Sequence, residues 1–386
     1  MAHAELTEAG WDSTVGQLGG ADLLEAEARE TGAFVRPREI RCAVDLLRFI
    51  LAYCLGKWGL RLTAAWAEGI GLASVSNVAL LGRLRNAVPW LERIAARLLA
   101  GQGARPLSGG SRAGRPAGKG RLIRLVDATN VVKAGKAERE SGGVWRIHGV
   151  YDLPDERLSA FEITDEKGAE AINRIAVVAG EIRIADRVHC RADDLADVIA
   201  QGADVVVRAS WRSARWLDEK GRTVDIVAEL RADAPGRIDR PIWLARRKAA
   251  PLRLRLVATR KPNDKAMQAV AEARAHARSK QRKIEPGTLV AAEWVIMVTS
   301  LAPEAFATDE VLELYRLRWR IEIAFKRMKS LIGLAGPPGA CPVVARVWVL
   351  CHLIAVLLTE AQLAAIGDSP RRDTALDRAC GAPVAC

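Results

Sequence analysis

The sequence lacks the features that mark membrane, secreted and zinc-binding proteins. Its seven cysteines are dispersed, with no CxxC pair and no cysteine/histidine cluster at zinc-site spacing. The N-terminus has no basic start followed by an apolar stretch, as a signal peptide would have. The longest apolar run covers Val347 to Leu358 and is interrupted by His352, which is shorter than the roughly 20 residues that span a bilayer. We therefore expect reduced thiols, no membrane partner and a soluble, cytoplasmic protein.

The chain has no acidic excess either. Its 386 residues are 50% hydrophobic, the formal net charge is +12 and the pI is about 9.7. This length suffices for a sizeable core and for roughly two or three domains. A basic balance favours a polyanionic partner, with nucleic acid ahead of an anionic membrane surface. A basic protein without such a partner remains the alternative on charge alone.

Residues 1–100 are predicted to form an all-helical N-terminal domain. Within it, residues 61–87 fit a helix-turn-helix that turns at Ile70-Gly71-Leu72. Ser74 or Ser76 would cap the second helix of this pair. DNA binding and simple helix packing explain the segment equally well. Residues 101–120, rich in Gly and Pro and free of acids, predict a flexible basic linker.

After the linker, apolar strands alternate with helices, which predicts an α/β fold. Three strands come first, followed by strand, helix and strand, and this is how an RNase H-like core begins. We expect that catalytic core at 121–210 and 289–366, a β-rich insertion subdomain at 211–288 and a disordered tail at 367–386. The patterns predict the following elements: strands at 121–127, 144–152, 157–164, 181–186, 203–210, 223–230, 241–245, 252–259 and 289–300, and helices at 169–179, 192–201, 264–283, 309–334 and 343–365.

Two acids follow apolar strands in this region. Asp127 closes the segment RLIRLVD, and Asp186 closes EIRIAD. Carboxylates at strand ends can hold the metal ions that phosphodiester cleavage requires. The alternative is that each Asp only caps the turn or helix that follows it.

The predicted long helix contains LYRLRWRIEIAFKRMKSL, residues 314–331. At about 100° per residue, one acid, three cations and a tyrosine share a stripe about 80° wide. Such a face suits a phosphate backbone beside a metal-binding carboxylate. A solvated face with spaced ion pairs fits equally well. The stripe consists of Tyr315, Arg318, Glu322, Lys326 and Lys329.

The spacing Y-x2-R-x3-E-x6-K, carried by Tyr315, Arg318, Glu322 and Lys329, resembles the signature of a large branch of bacterial insertion-sequence transposases. These are the DDE cut-and-paste enzymes often called the IS-four family. Val126-Asp127-Ala128-Thr129 resembles the family's first-Asp segment, and Ile184-Ala185-Asp186-Arg187 resembles the second. Trp294 lies on a strand that resembles the one carrying a base-stacking tryptophan. The resemblance covers about residues 40–365.

The resemblance implies that Asp127, Asp186 and Glu322 hold two Mg²⁺ ions, with Mn²⁺ as the alternative. It implies nicking at the element's ends, a hairpin intermediate and strand transfer to target DNA. It also implies double-stranded DNA partners, namely terminal inverted repeats and target, a homodimer in the DNA-bound complex and a nucleoid-associated location. The residues implied to contact DNA are Tyr315, Arg318, Lys326, Lys329, Arg208 and Trp294.

Three questions stay open at this stage. Trp294 fits a core position in an apolar strand as well as it fits base stacking. The segment after Glu322 has no clear dimerisation helix, so the pairing of two DNA ends is not explained. An inactive or domesticated DNA-binding derivative and an RNase H-like nuclease without strand transfer are the alternative functions.

Overall fold

A computed structural model describes residues 8–103, 118–132, 144–153, 157–212, 214–331, 333–334, 336 and 341–367. The chain divides into two compact units. The first takes the residues up to Arg112 and those from Met328 onward, with a short segment, Lys133–Ser141, that lies outside the described residues. The second takes Ala113–Val132 and Gly142–Arg327. The predicted tail and most of the predicted linker also lie outside the described residues.

The first unit is helical in all its described elements. Its helices are α1 (Glu8–Gln17), α2 (Ala21–Glu30), α3 (Ala43–Leu55), α4 (Leu60–Gly69), α5 (Asn77–Asn86), α6 (Val88–Gly103) and, far along the chain, α13 (Pro342–Gly367). Helices α4 and α5 form the predicted pair. Gly71 turns the chain between them at φ +70°, and Ser76 Oγ accepts the Ala79 N–H at 3.1 Å to cap α5.

Helix α13 belongs with these helices, whereas the sequence assigned it to the catalytic core. It packs against α3, α5 and α6 in the first unit. Its 21-residue stretch Pro342–Gln362 has a mean hydropathy of 2.0, so by length and composition it could cross a membrane. Two thirds of that stretch is buried inside the unit, as in the core helix of a soluble protein. The helix is thus longer than the apolar run from which it was predicted.

The second unit is a mixed α/β structure built on one nine-stranded sheet. Its strands are β1 (Ile123–Val132), β2 (Val144–Asp152), β3 (Arg157–Thr164), β4 (Ile182–Ala185), β5 (Asp204–Arg208), β6 (Trp216–Leu217), β7 (Arg237–Leu244), β8 (Leu252–Arg260) and β9 (Trp294–Thr299). Its helices are a 3₁₀ turn (Arg187–His189), α7 (Ala192–Ala200), α8 (Ile226–Ala232), α9 (Asn263–Ser279), α10 (Pro286–Ala292), α11 (Thr308–Arg316) and α12 (Trp319–Leu331).

The strand order is β3-β2-β1-β4-β5-β9-β8-β7-β6. Strand β1 pairs in parallel with β4, and β4 with β5, while every other pairing in the sheet is antiparallel. The strands of the insertion, β6 to β8, therefore join the same sheet through β9. The sequence predicted a separate β-rich subdomain, because these residues interrupt the alternation of strands and helices. In the structure β8 pairs with the edge of β9, so the strands of the insertion extend the central sheet.

Three predicted elements before residue 301 are wrong. Residues 169–179 form turns and bends, because the buried Arg183 guanidinium takes up the carbonyls of Ile172, Ile175 and Ala176. Residues 223–230 hold helix α8 instead of a strand, because Asp225 accepts the Ala228 N–H and caps it. The predicted strand 289–300 divides into α10 and β9.

Helix 309–334 was predicted as one element and is two. The backbone tightens between α11 and α12: the N–H groups of Leu317, Arg318, Arg320 and Ile321 each bond three residues back. Such i→i+3 bonds replace the α-helical pattern over one turn and reorient the helix axis. Thr308 begins α11, and its hydroxyl donates to Asp239, which also pairs with Arg255 at 2.6 Å.

A buried ionic cluster fixes the start of β4. Arg183 and Glu181 are both 0% exposed and form an ion pair. Arg124 of β1 joins them, with its Nη1 3.1 Å from Glu181 Oε2 and its Nε 2.9 Å from Asp152 Oδ1. Burying such charges is tolerated only where every partner is present. The cluster therefore ties β4 to β1.

Replacing Arg183 by Met should destabilise the protein strongly. The buried Glu181 would lose its closest partner, and the carbonyls of Ile172, Ile175 and Ala176 would lose a donor, which costs about 3–5 kcal/mol. Urea unfolding followed by circular dichroism measures this. Arg237→Met, at an exposed pair with Asp309, is the control and should leave the free energy of unfolding almost unchanged. Equal effects of the two substitutions would contradict the role given to the cluster.

Candidate active site

The parallel strands β1, β4 and β5 bring two of the predicted acids into one row. Val126 pairs with Ala185, and Ala185 pairs with Val207. One residue further along each strand come Asp127, Asp186 and Arg208. Neighbouring strands lie about 4.8 Å apart, and laterally aligned side chains project from the same face. The sequence suggested that Asp127 ends its strand. It lies within β1 instead, because β1 continues to Val132.

Asp127 is held in a partly desolvated position. Its side chain is 17% exposed, and Oδ1 accepts its neighbour Ala128's N–H at 2.8 Å. Burial raises the pKa of Asp127 to about 6, against the lowering effect of the Ala128 bond. The negative charges of Asp186 and Glu322 raise the pKa further, while Arg318 lowers it. Asp127 is thus an acid whose ionised form lacks sufficient counter-charge.

Asp186 follows β4 and caps the 3₁₀ turn after it. Its Oδ1 accepts the Val188 N–H at 2.9 Å, so the capping role considered from sequence is present. His189 Nδ1 lies 3.6 Å from the same oxygen. Burial lowers the pKa of His189 to about 4, so the imidazole is neutral at neutral pH and this contact is not an ion pair. Both of these contacts involve Oδ1, and within the described part of the chain Oδ2 of Asp186 has no comparable contact.

Glu322 lies in the first turn of α12 and is 53% exposed. Its Oε1 is 2.5 Å from Arg318 Nη2, and Arg318 Nη1 is 3.8 Å from Asp127 Oδ2. Arg318 sits at the break between α11 and α12, and its guanidinium bridges the strand acid and the helix acid. The ion pair proposed from sequence between Glu322 and Arg318 is therefore present.

The other predicted DNA contacts differ in exposure. Tyr315 is half-buried with its ring 5.8 Å from the Arg318 guanidinium, and Lys326 and Lys329 are exposed on α12. Trp294 is 3% exposed and packs in the apolar core beside the central strands. In this conformation the ring of Trp294 offers no exposed face on which a base could stack. The structure thus favours the core position that the sequence left open for Trp294.

Two residues near these acids were missed by the sequence analysis. Trp319, three residues before Glu322, is 52% exposed. Trp319 follows Arg318 directly in the helical motif, but the sequence does not show that this aromatic side chain is exposed. Glu170 is half-buried and ion-paired with Arg146 at 3.3 Å. Burial raises the pKa of Glu170, Arg146 lowers it and Asp186 raises it again, so Glu170 lies near Asp186. No sequence signal indicated that proximity.

The donor atoms fit a divalent cation in kind. Three carboxylates offer the oxygen ligands that Mg²⁺ prefers, and the raised pKa of Asp127 marks a place where positive charge would be stabilising. Among the described residues, no group of three or more acidic, His or Cys side chains is gathered closely enough to hold an ion. Arg318 supplies the positive charge between Asp127 and Glu322. Asp127 and Asp186 are the pair already side by side.

Asp127→Asn should stabilise the metal-free protein near neutral pH. The folded pKa of about 6 exceeds the ordinary value of 3.8, so the stability from this group is complete below about pH 4 and is lost as pH rises through 6. The variant should therefore gain about 1–3 kcal/mol over the wild type at pH 7 and little at pH 4. Urea unfolding at both pH values measures the difference.

Asp218→Asn provides the control of opposite sign. A backbone hydrogen bond from Arg222 is the main cause that lowers the pKa of Asp218, so its stabilising contribution is present above the ordinary pKa and is lost in acid. Its replacement should weaken the protein at pH 7 more than at low pH. A shift in the same direction for both variants would show that the Asp127 effect is not electrostatic.

Comparison with known proteins identifies the family. The family description "Transposase DDE domain" matches residues 118–337. The chain is 35% identical over 374 residues to the InsL protein of insertion sequence element IS186A from Escherichia coli K12, covering 95% of this chain and 98% of the relative. It is equally 35% identical, over 375 residues, to the transposase of insertion sequence element IS421 from Escherichia coli, with the same coverage.

Among solved structures, the piggyBac transposase synaptic complex with hairpin DNA covers 95% of this chain and 75% of its own, with 8% identity and a TM-score of 0.43. That likeness is too low to support an argument. The sequence relationships suffice: the family match spans more than half of the chain, and the relatives match over nearly their whole length. The chain belongs to the DDE transposases of bacterial insertion sequences.

Proposed function

We propose that this transposase cuts an insertion sequence out of DNA and joins it to a target, with Asp127, Asp186 and Glu322 as its catalytic carboxylates. The observation that carries the proposal is the row of Asp127 and Asp186 on adjacent parallel strands, linked by Arg318 to Glu322. Family membership makes the chain an enzyme acting on DNA. The residue roles are our inference from the geometry.

The three carboxylates would hold two Mg²⁺ ions, or Mn²⁺ in their place. When bound, such metal ions activate the attacking oxygen and stabilise the leaving oxygen of a phosphodiester. Asp127 must be ionised to serve as a ligand, and its pKa of about 6 means that metal binding competes with a proton below neutral pH. Glu322 would exchange its pairing with Arg318 for a role as ligand.

The cations around the acids would hold the DNA backbone. Arg318 lies beside both Asp127 and Glu322. Once released from Glu322, its guanidinium could form two parallel hydrogen bonds with a phosphate. Arg208 lies next to Asp186 in the row and would contact the same phosphate backbone from the side of the sheet. Tyr315, Lys326 and Lys329 share the helical segment and would add contacts along the strand.

The wider architecture supports an RNase H-like core. The sequence suggested such a core from the succession of three strands, then strand, helix and strand; these strands lie in the order β3-β2-β1-β4-β5, antiparallel for the first three and parallel for β1-β4-β5. Residues 1–100 would serve as the domain that recognises terminal inverted repeats, with α5 as the helix that enters the groove. A homodimer would pair the two ends, in the cytoplasm at the nucleoid.

A hairpin intermediate needs a base to be flipped out of the stack, and an aromatic side chain can receive it. Trp319 has the exposed ring that this role requires, at a position three residues before Glu322, whereas Trp294 is buried. We therefore assign the stacking role to Trp319 and a packing role to Trp294.

Glu322→Gln should abolish DNA cleavage while leaving DNA binding intact. Losing a metal ligand removes several kcal/mol of transition-state stabilisation, or about a thousand-fold in rate. The assay follows nicked and hairpin products from a duplex carrying the element's own end, with Mg²⁺. Glu313→Gln, at an exposed acid on α11, is the matched control and should cleave normally.

The products distinguish the alternative functions. Binding without cleavage by wild type and variant alike would indicate an inactive DNA-binding derivative. Nicks without hairpins or joined target would indicate a nuclease without strand transfer.

Trp319→Ala should slow hairpin formation by about 10- to 100-fold, because base stacking is worth about 1–3 kcal/mol. Initial nicking and the free energy of unfolding should stay near wild type, since the side chain is exposed. Trp294→Ala is the comparison: removing a core tryptophan should cost about 3–5 kcal/mol of stability. Gel analysis of time courses gives the hairpin rates. Normal hairpin formation by Trp319→Ala would refute the assignment.

A further inference from the structure

Helix α9 is a 17-residue helix with almost nothing buried. Ala266 is its one buried residue, and most of its other side chains are exposed. A helix that is polar nearly all round is stabilised by its neighbours or by a partner rather than by an apolar face. Within the unit α9 packs on α10. The rest of its surface faces outward.

The end of this helix concentrates positive charge. Five cations fall within residues 274–283, all exposed, and no acid interrupts them. We call this set the basic strip. The nearest acids on either side are engaged elsewhere: Glu272 accepts a hydrogen bond from Gln268, and Glu285 pairs with Arg212. The basic strip consists of Arg274, Arg278, Lys280, Arg282 and Lys283.

The strip differs from the other arginines of its unit. Most of those pair with a nearby carboxylate, such as Arg240 with Glu229 and Arg246 with Asp193. None of the five strip cations forms an ion pair with a residue that the structure describes. Unpaired like charges so close in sequence repel one another, and a polyanion would relieve that repulsion.

The backbone holds the strip in a defined shape. Arg282 N–H bonds to Ala277 O and Gln281 N–H bonds to Arg278 O, which is the Schellman arrangement at a helix C-terminus. Gln281 occupies the left-handed position at φ +50°, where glycine is preferred. The turn directs Lys280, Arg282 and Lys283 beyond the helix end. The helix dipole favours cations only in the last turn of the helix, so it does not account for the cations beyond the helix end.

Two further cations lie at the start of α9, the end opposite to the basic strip. Lys261, just before α9, has its pKa lowered by burial and by the neighbouring Arg208. Lys261 Nζ donates to Ala292 O at 2.8 Å, which fixes it between the helix start and the approach to β9. Arg208 aligns beside Asp186 in the sheet, so the length of α9 separates the cations near the row of acids from the basic strip.

We propose that the basic strip is a second, sequence-independent contact with the backbone of duplex DNA, outside the stretch held at the carboxylates. Phosphate contacts need charge and exposure but no base-reading groups, and the strip offers only long cationic side chains. Met267 is the one large apolar side chain exposed on α9, which is too little for a lipid-inserting face. The strip positions DNA and does not select its sequence.

The test is the salt dependence of DNA binding by the full chain. The variant Arg278→Gln/Lys280→Gln/Arg282→Gln removes three strip charges. Each lost phosphate contact lowers the slope of log affinity against log salt by about 0.9, so a fall of up to about 2.7 is expected. The probes are a duplex carrying the element's end and a short duplex of unrelated sequence, and affinity for both should fall by the same factor.

The control Lys220→Gln/Arg231→Gln/Lys248→Gln changes the net charge equally at exposed cations of the same unit outside the strip. It should keep nearly the wild-type slope. Equal slopes for the two triple variants would overturn the proposal, and so would a loss of affinity confined to the duplex that carries the element's end. Urea unfolding confirms that both variants are folded.

Cleavage separates this inference from the proposed function. At saturating DNA the strip variant should nick at the wild-type rate, whereas Asp127→Asn should fail to nick but keep the wild-type salt slope. If the wild type does not cleave and the strip variant still loses its slope, the strip contact holds while the catalytic assignment fails.

Discussion

Two carboxylates held side by side on adjacent parallel strands repel each other, and much of the second unit is arranged so that they stay there. Asp127 and Asp186 keep their places because β1 and β4 cannot slip: a shift of one residue would turn their side chains to opposite faces. The buried cluster of Arg183, Glu181 and Arg124 fixes the other end of β4. Strand β4 thus has a buried ion pair at its start and, directly after its end, an acid that belongs to a cluster with less counter-charge.

That contrast explains how stability and function share one element. Arg183 and Glu181 neutralise each other away from solvent, while the charge on Asp127 is only partly offset by Arg318 at 3.8 Å. The remaining repulsion destabilises the folded chain. The same excess of negative charge attracts cations, and with them the phosphates that those cations bind. Arg318 lies at a tightened turn between two helices, so its position depends on the backbone rather than on a helical face.

The sequence indicated the position of the acids in the secondary structure better than it indicated their surroundings. Asp127 and Asp186 were chosen because apolar runs mark buried strands, and Glu322 because its helix carries a spaced motif; their catalytic role stays a prediction. The break at Leu317 was invisible, since a 3₁₀ turn shifts the angular pattern by only about 20° per residue. Burial separated Trp294 from Trp319, and a linear pattern does not report burial. Helix 169–179 is absent because the guanidinium of Arg183, a few residues further along the chain, binds the carbonyls that a helix would have used.

The pairing of β9 between β5 and β8 has a consequence for how such a chain can change over time. The residues between β5 and β9 form an insertion in the chain, yet three strands of this segment continue the central sheet. A chain shortened from β5 directly to β9 would leave β9 with an open, apolar edge, and open edges recruit strands from other molecules. A viable deletion would therefore have to cover or shorten the edge of β9 at the same time as it removed the segment.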